Sequence, residues 1–546
     1  MYKKLEQRLQ RLRQADQIEL LTGGLIGLEK EGLRVSPNGC ISLKEHPEEL
    51  GSALTNRYIT TDYSEALTEI ITPPSADREE PLRFLFEAQH FLYQHLDDEI
   101  LWSTSMPCVV EDDEQIPIAE YGNSNAGMMK TVYRRGLGQR YGRVMQVIAG
   151  VHFNYSLPQP FWQVYQLLEQ DEGSTQTFIS ESYFAMLRNL QRVGWLIPYL
   201  FGASSAVCKS FLGGRPTSLQ TFDEYSYYSP HATSLRMGDI GYQNSKEQGT
   251  GIKACYDCMN AYIETLSCAI ETPCPIYKAM GVKVNGRYEQ LNANILQIEN
   301  EYYSTVRPKQ IPEMMEKPIH ALQRRGVRYV ELRSMDVNAF HPLGIGEEQI
   351  YFVEALMLTC LLQESLAINV AEQKEIDWNE LTAAHQGRKP GLMLQRRGEQ
   401  VSLRDWGLEI CEALQPICEV LESGMPSKPY SESLKLQVYR LQVADLTPSA
   451  RMLAEMRDKG ESFFQFAQRI SKQHQHYFTQ QKHSSQDQQL LQEEAKDSWQ
   501  RQHDIEAADR VSFDEFLENY FSQKINPMSP AEDEKRSLSA RVYSNP

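Results

Sequence analysis

The sequence lacks the features of several protein classes. Only 10 of its 546 residues are cysteines, at irregular separations, which is typical of free thiols in a reducing compartment and not of a disulfide framework. The most apolar stretch, residues 193–208, is interrupted by Pro198 and Gly202 and is shorter than the roughly 20 residues that a bilayer requires. The first residues are polar and basic without an apolar core, so no secretory signal is predicted. We therefore expect a cytoplasmic protein with no membrane partner.

Positive charge is also scarce. The chain has 55 Lys and Arg residues against 73 Asp and Glu residues, which gives a formal net charge of −18. An excess of acidic residues opposes binding to a phosphate backbone, so we expect no nucleic-acid partner. The content of hydrophobic residues, 41%, is close to that of an average globular chain and predicts a folded protein with a large core.

Two kinds of local motif are missing as well. The sequence has no GxxxxGK[ST] loop and no GxGxxG after a predicted strand, so any nucleotide is not held as in P-loop or dinucleotide-binding folds. Cys255 and Cys258 have a metal-like spacing, but Cys268 and Cys274 do not form a second close pair. A structural zinc site is therefore not expected.

The chain does contain strand-like and helical segments in alternation. Apolar and polar residues alternate as in strands in residues 27–35, 68–73, 150–158, 290–299 and 327–337. Helical periodicity dominates between them, for example in residues 79–96, 181–201 and 347–368. Strands separated by long helical insertions predict an α+β fold with a mainly antiparallel sheet.

No linker or internal repeat divides the chain before about residue 470. We therefore expect one intertwined catalytic domain over residues 1–470. The chain then becomes rich in Gln, His and Glu without a strong apolar stripe, which predicts a polar C-terminal region of solvated helices over residues 471–524. Residues 525–546 are expected to form a flexible tail.

Acidic residues fall on predicted strand faces. Glu29 and Glu31 are two residues apart, so their side chains project from one face with Cα atoms about 6.5 Å apart. Two such carboxylates can hold a cation, and a solvated strand face is the alternative. Glu69 lies in an apolar strand, where an unpaired charge is costly to bury. The alternative is that Asp62 caps a short helix and that Glu69 lies at the edge of a strand.

Two further strands carry polar faces. His152 and Asn154 lie on one face of the third predicted strand, and a neutral imidazole can complete a metal site, although a single His more often has a structural role. In the last strand Glu331 and Arg333 share a face. They form either a surface ion pair or a metal ligand beside a phosphate clamp.

Eight segments, in order from about residue 20 to residue 460, together resemble the proteobacterial type of glutamate–cysteine ligase. Each is modestly specific alone, and their common order makes the resemblance very specific. The segments are GLEKEGLRV, LGSALTNRYITTDYSEALTEIITP, YGNSNAGMMKTVYRRGLGQRYG, QVIAGVHFNYSLP, IPYLFGASSAVCKSF, ATSLRMGDIGYQN, LQIENEYYSTVRPK and RYVELRSMDVNAFHPLG.

This resemblance implies a fold and a reaction. The fold is a glutamine-synthetase-like curved, mainly antiparallel sheet that forms a funnel with magnesium on its inner face. The reaction joins the γ-carboxylate of L-glutamate to the amine of L-cysteine through γ-glutamyl phosphate, which gives γ-glutamylcysteine, ADP and phosphate. A related ligase with another amino-acid acceptor and a non-catalytic glutamate- or nucleotide-binding relative are the alternatives. The length leaves no room for an appended glutathione synthetase domain.

The resemblance also implies a set of metal ligands and cofactors. Five carboxylates in one funnel would repel by about 4 kcal/mol per close pair at an effective dielectric constant near 20, so cations must be present. The nearly all-oxygen set favours magnesium over zinc. We expect two or three Mg²⁺ ions, with Mn²⁺ as a substitute, and ATP as co-substrate. The implied metal ligands are Glu29, Glu31, Asp62, Glu69, His152 and Glu331.

The remaining expected site residues contact substrates. Arg333 is the candidate clamp for the transferred phosphoryl group, and Asp62 is a candidate acceptor for the proton of the cysteine amine. Arg307 and Lys309 are expected to reach the phosphates of ATP because of their charge and position. A monomer is our working expectation. The resemblance further places Arg236, Gln146 and Asn154 at glutamate, Arg134, Tyr242 and Tyr303 at the cysteine carboxylate, and Tyr63 and Leu137 at the cysteine thiol.

Overall fold

The computed structural model describes residues 2–107, 109–110, 113–241, 252–313, 315–481 and 486–524. Tyr242 and the predicted tail over residues 525–546 lie outside the described residues. The strands are β1 (Leu25–Val35), β2 (Ile59–Thr61), β3 (Leu67–Ile71), β4 (Ile100–Leu101), β5 (Gly150–Ser156), β6 (Ala206–Cys208), β7 (Gln220–Thr221), β8 (Ser226–Tyr228), β9 (Lys283–Val284), β10 (Arg287–Tyr288), β11 (Val306–Lys309), β12 (Tyr329–Asp336), β13 (Met393–Arg396) and β14 (Glu399–Ser402).

Helices fill most of the remaining described chain, and many of them begin at a Ser, Thr or Asn side chain that caps the first turn. The helices are α1 (Lys3–Gln14), α2 (Glu80–Gln94), α3 (Asn125–Tyr141), α4 (Gln159–Leu168), α5 (Thr175–Val193), α6 (Leu196–Phe201), α7 (Lys209–Leu212), α8 (Met259–Glu271), α9 (Pro275–Met280), α10 (Pro318–Arg325), α11 (Glu347–Leu362), α12 (Val370–Gln386), α13 (Leu403–Leu421), α14 (Pro429–Gln442), α15 (Pro448–Lys459), α16 (Phe463–Thr479), α17 (Gln486–Ala508) and α18 (Phe513–Ser522).

A seven-stranded sheet organises the fold. Its strand order is β11-β12-β5-β1-β3-β2, with β4 paired to β1, and every pair is antiparallel. Four of the five predicted strands, all but residues 290–299, correspond to β1, β3, β5 and β12. The predicted α+β class with a mainly antiparallel sheet and large helical insertions is confirmed.

One face of the sheet forms the main core. Leu28 on β1, Val151 and Phe153 on β5, and Leu332 on β12 are all buried within one large hydrophobic cluster. Residues between them along each strand therefore project from the opposite face, as the period of two requires. Lys30, on the core face, donates a hydrogen bond from Nζ to Gln89 Oε1 on α2. In the described part of the chain no helix is long and apolar enough to cross a membrane.

Two predicted elements differ from the structure. Residues 290–299 do not form a strand, because their polar side chains bond to the backbone: Gln290 Nε2 donates to Tyr277 O, and Gln297 Oε1 accepts from Leu291 N. These buried glutamines create the alternation without a strand partner. The helix predicted over residues 181–201 is two helices, α5 and α6, which meet at Gly194.

The C-terminal helices pack on the rest of the protein. The boundary expected at residue 470 falls inside α16, which packs against α2 and β4. In the region predicted to form polar, solvated helices, α17 is largely exposed but buries one stripe of mostly polar or small residues against α2 and the chain near residue 50. The stripe consists of Gln488, Leu491, Glu494, Ala495, Ser498 and Gln502.

Candidate active site

Strand register brings the predicted acids to one region of the sheet. Glu29 on β1 lies opposite His152 on β5, and Glu31 on the same strand lies opposite Glu69 on β3. On the other side of β5, Glu331 lies opposite Asn154. Because all of these residues project from the face away from the main core, strands as far apart in sequence as those of Glu29 and Glu331 form one cluster.

The centre of this cluster is Glu29, His152 and Glu331. His152 Nδ1 lies 3.1 Å from Glu29 Oε2 and 3.4 Å from Glu331 Oε1, and His152 Nε2 lies 3.7 Å from Glu31 Oε1. One ligand atom from each of the three residues lies within 4.8 Å of the others. Within the described residues this is the one such group of His, Cys, Asp or Glu side chains, and none of the cysteines belongs to it.

Two cations compensate one end of the cluster. Glu331 is fully buried, and its carboxylate pairs with Arg333 Nη1 at 2.6 Å and with Lys309 Nζ at 3.2 Å. Burial raises the pKa of Glu331, but the charges of Arg333 and Lys309 outweigh this effect and hold the pKa well below its usual range. Glu331 is therefore ionised at neutral pH, and the two cations are already close to it.

At the other end of the cluster, burial outweighs the compensating charges of Arg236 and Arg333. Burial and the neighbouring carboxylates raise the pKa of Glu69 well above its usual range, and burial also raises that of Glu31. Asp62 contributes to the repulsion at both glutamates. Glu31 Oε2 accepts a hydrogen bond of 2.6 Å from Gly150 N. These carboxyl groups therefore resist ionisation when no cation is bound, and a cation placed among them would stabilise their ionised forms.

The donor set fits magnesium. Apart from one imidazole, the ligand atoms are carboxylate oxygens, which hard divalent cations prefer. Asn154 donates from Nδ2 to Glu29 Oε1 at 2.9 Å, and its Oδ1 is buried without a hydrogen-bond partner. A buried acceptor without a hydrogen bond is destabilising unless a bound ligand, or a water molecule held by that ligand, donates one to it.

A second polar network adjoins Arg333. Arg236 donates from Nη2 to the backbone oxygen of Arg333 at 2.9 Å, and its Nη1 lies 3.8 Å from Asp336 Oδ1. Asp336 is fully buried and accepts hydrogen bonds from Ala203 N and from the hydroxyl groups of Ser204 and Ser234. The sequence analysis missed Asp336, because a β-bulge between residues 332 and 335 shifts the alternation of β12.

The segment predicted to bind cysteine lies beyond Asp62. Arg134 on α3 donates from Nε to Asp62 O and stacks on the Tyr121 ring at 4.6 Å, and Lys130 lies 4.9 Å from the same ring. The Tyr121 hydroxyl donates to Thr61 O at 2.8 Å and to Asp62 O at 3.0 Å. Sequence reasoning missed Tyr121 and Lys130, for which no motif gave a signal.

Other predicted contact residues occupy varied positions. Tyr63 and Leu137 are buried among core residues. Arg307 lies opposite Glu331 in β11, and its Nη2 donates to the backbone oxygens of residues 300 and 302. Gln146 is buried in the short turn before β5, and Tyr303 donates from its hydroxyl group to the Met237 sulfur at 3.4 Å. The ligand roles of these residues stay predictions.

Sequence comparison gives the family context of this site. The sequence profile of the glutamate–cysteine ligase family matches residues 9–382. A glutamate–cysteine ligase of Alcanivorax borkumensis is 45% identical over 524 residues, which are 95% of this chain and 99% of that protein. One from Pseudomonas aeruginosa is 44% identical over 516 residues, which are 94% of this chain and 97% of that protein.

Solved structures agree with this assignment. The crystal structure of a Francisella tularensis glutamate–cysteine ligase in complex with AMP has a TM-score of 0.85 and 34% identity, and it covers 91% of this chain and 97% of its own. A bifunctional glutathione synthetase from Pasteurella multocida has a TM-score of 0.69 at 22% identity, covering 86% of this chain and 55% of that one, and shares the fold. Because the profile and these relatives span most of the chain, the protein belongs to the glutamate–cysteine ligase family.

Proposed function

We propose that this enzyme, an ATP-dependent glutamate–cysteine ligase, forms γ-glutamylcysteine at the acidic face of its large sheet. The observation that carries the proposal is the convergence of Glu29, His152 and Glu331 from three strands, with Arg333 and Lys309 beside them. This arrangement combines oxygen ligands for cations with fixed positive charges, and a phosphoryl transfer from ATP requires both.

Magnesium is the cation that we assign to the acids. The proposed ligands are Glu29, Glu31, Asp62, Glu69, His152 and Glu331, shared among two or three ions. Bound Mg²⁺ would neutralise phosphate charge and orient the nucleotide. The raised pKa values of Glu31 and Glu69 support this assignment, because these buried acids are costly to ionise together unless cations bind between them.

The first chemical step needs positive charge that is already in place. In this step a γ-carboxylate oxygen of glutamate attacks the γ-phosphorus of ATP, the bond to ADP breaks, and γ-glutamyl phosphate forms. Arg333 is proposed to stabilise the charge on the transferred group, and Lys309 and Arg307 to bind phosphate oxygens. The short ion pair of Arg333 with the buried Glu331 holds the guanidinium in position before ATP arrives.

The second step makes the amide bond. The amine of cysteine attacks the acyl carbon, phosphate leaves, and one amine proton is released. Asp62 is the proposed proton acceptor, because it lies between the acid cluster and α3. Arg134, Tyr242 and Tyr303 are proposed to bind the carboxylate of cysteine, with Tyr63 and Leu137 near its thiol. Arg236, Gln146 and Asn154 are proposed to hold glutamate.

Location and assembly complete the proposal. We propose a monomer as the active unit. We propose the reducing cytoplasm as its location, because the ten cysteines of the chain are sparse and irregularly spaced.

Product formation tests the proposal directly. Purified enzyme with glutamate, cysteine and ATP should release phosphate and form γ-glutamylcysteine, detected by mass spectrometry, only when Mg²⁺ or Mn²⁺ is present. Replacing cysteine with serine or 2-aminobutyrate distinguishes an enzyme for a different acceptor, since a small apolar pocket separates such analogues by about 1–3 kcal/mol. Faster turnover of either analogue, or full activity in EDTA, would contradict the proposal.

A further inference from the structure

The two C-terminal helices α17 and α18 hold the segments that carry Asp62 and Arg134. Nothing in the proposed chemistry uses these helices, although α17 is long and buries six side chains along one stripe. Besides α2, these helices contact three places near the proposed site: the chain that leads into β2, the start of α3, and the outer face of α3.

The chain before β2 is fixed by α17. Ser52 N donates to Ser498 Oγ at 2.9 Å, and Arg57 N donates to Glu494 Oε1 at 2.9 Å. Gly51 has a φ of 88°, and a Cβ atom there would lie 2.7 Å from Ala495 Cα, so only glycine allows this close approach. Residues 59–61 form β2 directly after this segment, and Asp62 follows them.

The start of α3 is fixed by the turn between α17 and α18. Asn125 N, the first amide of the helix, donates to Asp509 Oδ2 at 2.6 Å, and Asn125 Nδ2 donates to Val511 O at 3.0 Å. Just before the helix, Asn123 N donates to Glu506 Oε1 at 2.9 Å. The Asp509 carboxylate therefore satisfies a free amide at the positive end of the α3 dipole.

The outer face of α3 packs on α18. Phe516 and Leu517 form a small hydrophobic cluster with Val132 on α3 and with Leu291. On α3, Val132 lies between Lys130 and Arg134, whose side chains both stack on the Tyr121 ring. This cluster therefore fixes the rotation of α3 about its axis, and with it the direction in which Arg134 points.

From these contacts we infer that α17 and α18 position the acceptor side of the active site, and that Asp509 is a positioning residue for cysteine binding. The inference rests on the proposed function, in which Arg134 binds the cysteine carboxylate. Asp509 touches no substrate. It acts through α3, and its loss should leave the sheet that carries the acid cluster undisturbed.

The test is the kinetics of Asp509→Ala. The KM for cysteine should rise several-fold, and by about tenfold if the full free energy of a lost capping acceptor appears in cysteine binding. The kcat and the KM values for glutamate and ATP should not change. Asp509→Asn keeps an acceptor oxygen and should recover most of the cysteine affinity. Asp504→Ala, at an exposed position on α17, is the matched control and should behave as wild type.

Two further measurements test the role of α17 and α18 without relying on the kinetics of Asp509→Ala. Phe516→Ala loosens α3 at a different point and should also raise the KM for cysteine alone, so the test does not depend on the folding of one variant. Hydrogen–deuterium exchange needs no substrate: residues 121–137 should exchange faster in Asp509→Ala than in Asp504→Ala. Equal changes in all three KM values, an unchanged cysteine KM in Arg134→Gln, or unchanged exchange would overturn the inference. Absence of product from the wild-type enzyme would instead refute the proposed function.

Discussion

Removing the Arg333 guanidinium should destabilise the enzyme through Glu331. Glu331 is fully buried, and Arg333 Nη1 lies 2.6 Å from its Oε1. At an effective dielectric constant near 20, unit charges about 4 Å apart attract by about 4 kcal/mol, and breaking a buried pair costs about 3–5 kcal/mol. Lys309, at 3.2 Å from Glu331 Oε2, retains part of the compensation. We therefore expect Arg333→Met to lose about 3 kcal/mol of folding free energy in EDTA.

Urea unfolding followed by tryptophan fluorescence measures this loss. The control is Arg404→Met, whose partner Asp405 is exposed, and there the change should stay below about 1 kcal/mol. Arg333→Met with Glu331→Leu removes both charges and should recover most of the stability. Mg²⁺ should stabilise Arg333→Met more than wild type, because the uncompensated acids attract it. An equal unfolding free energy for Arg333→Met and Arg404→Met would show that Arg333 does not stabilise the buried Glu331.

Three more variants test other parts of the structure. Burial raises the pKa of Glu380 from 4.5 to about 7, so the folded protein keeps a proton that the unfolded chain releases between these values, and stability falls as pH rises through them. Glu380→Gln should therefore raise the unfolding free energy, measured in urea, by up to about 3 kcal/mol at pH 8 and by little at pH 4.5. The same gain at both pH values would contradict a raised pKa of Glu380. Gly51→Ala should lose about 1–3 kcal/mol because of its positive φ and the approach of Ala495, whereas unchanged unfolding would argue against that packing. Tyr121→Phe loses the hydroxyl that donates to Asp62 O and should cost about 1–3 kcal/mol, seen as a lower melting temperature.

Alternation predicted the strands that carry the acids. Glu29 and Glu31 share a face of β1, and Glu331 and Arg333 share a face of β12, as the period of two requires. The pairing of these strands could not be derived from the same pattern, because strand order depends on contacts across hundreds of residues. The family resemblance implied only that these acids meet in one funnel, and the antiparallel register of the structure shows why residues 29 and 152 meet.

Other features of the structure cannot be predicted from the hydrophobic pattern of the sequence. The stripe of α17 consists largely of polar or small residues such as Ser498 and Gln502, which pack closely and bond to the chain near Ser52. A hydropathy pattern treats these residues as solvated. The bulge that turns Asp336 toward Arg236 has no sequence signature either. The alternation of residues 290–299 was misleading for the opposite reason, since its buried Gln290 and Gln297 bond to the backbone of helices α9 and α3 and not to a strand.

Mn²⁺ binding shows directly whether the acid cluster holds divalent cations. Titration followed by electron paramagnetic resonance counts bound ions without any turnover, and we expect two or three per chain in the presence of a non-hydrolysable ATP analogue. Glu29→Gln or Glu331→Gln should weaken this binding at least about tenfold, which corresponds to about 1.4 kcal/mol. Glu412→Gln, at an exposed position on α13, should leave it unchanged. If both Glu29→Gln and Glu331→Gln bound Mn²⁺ with wild-type stoichiometry and affinity, Glu29 and Glu331 would not be metal ligands.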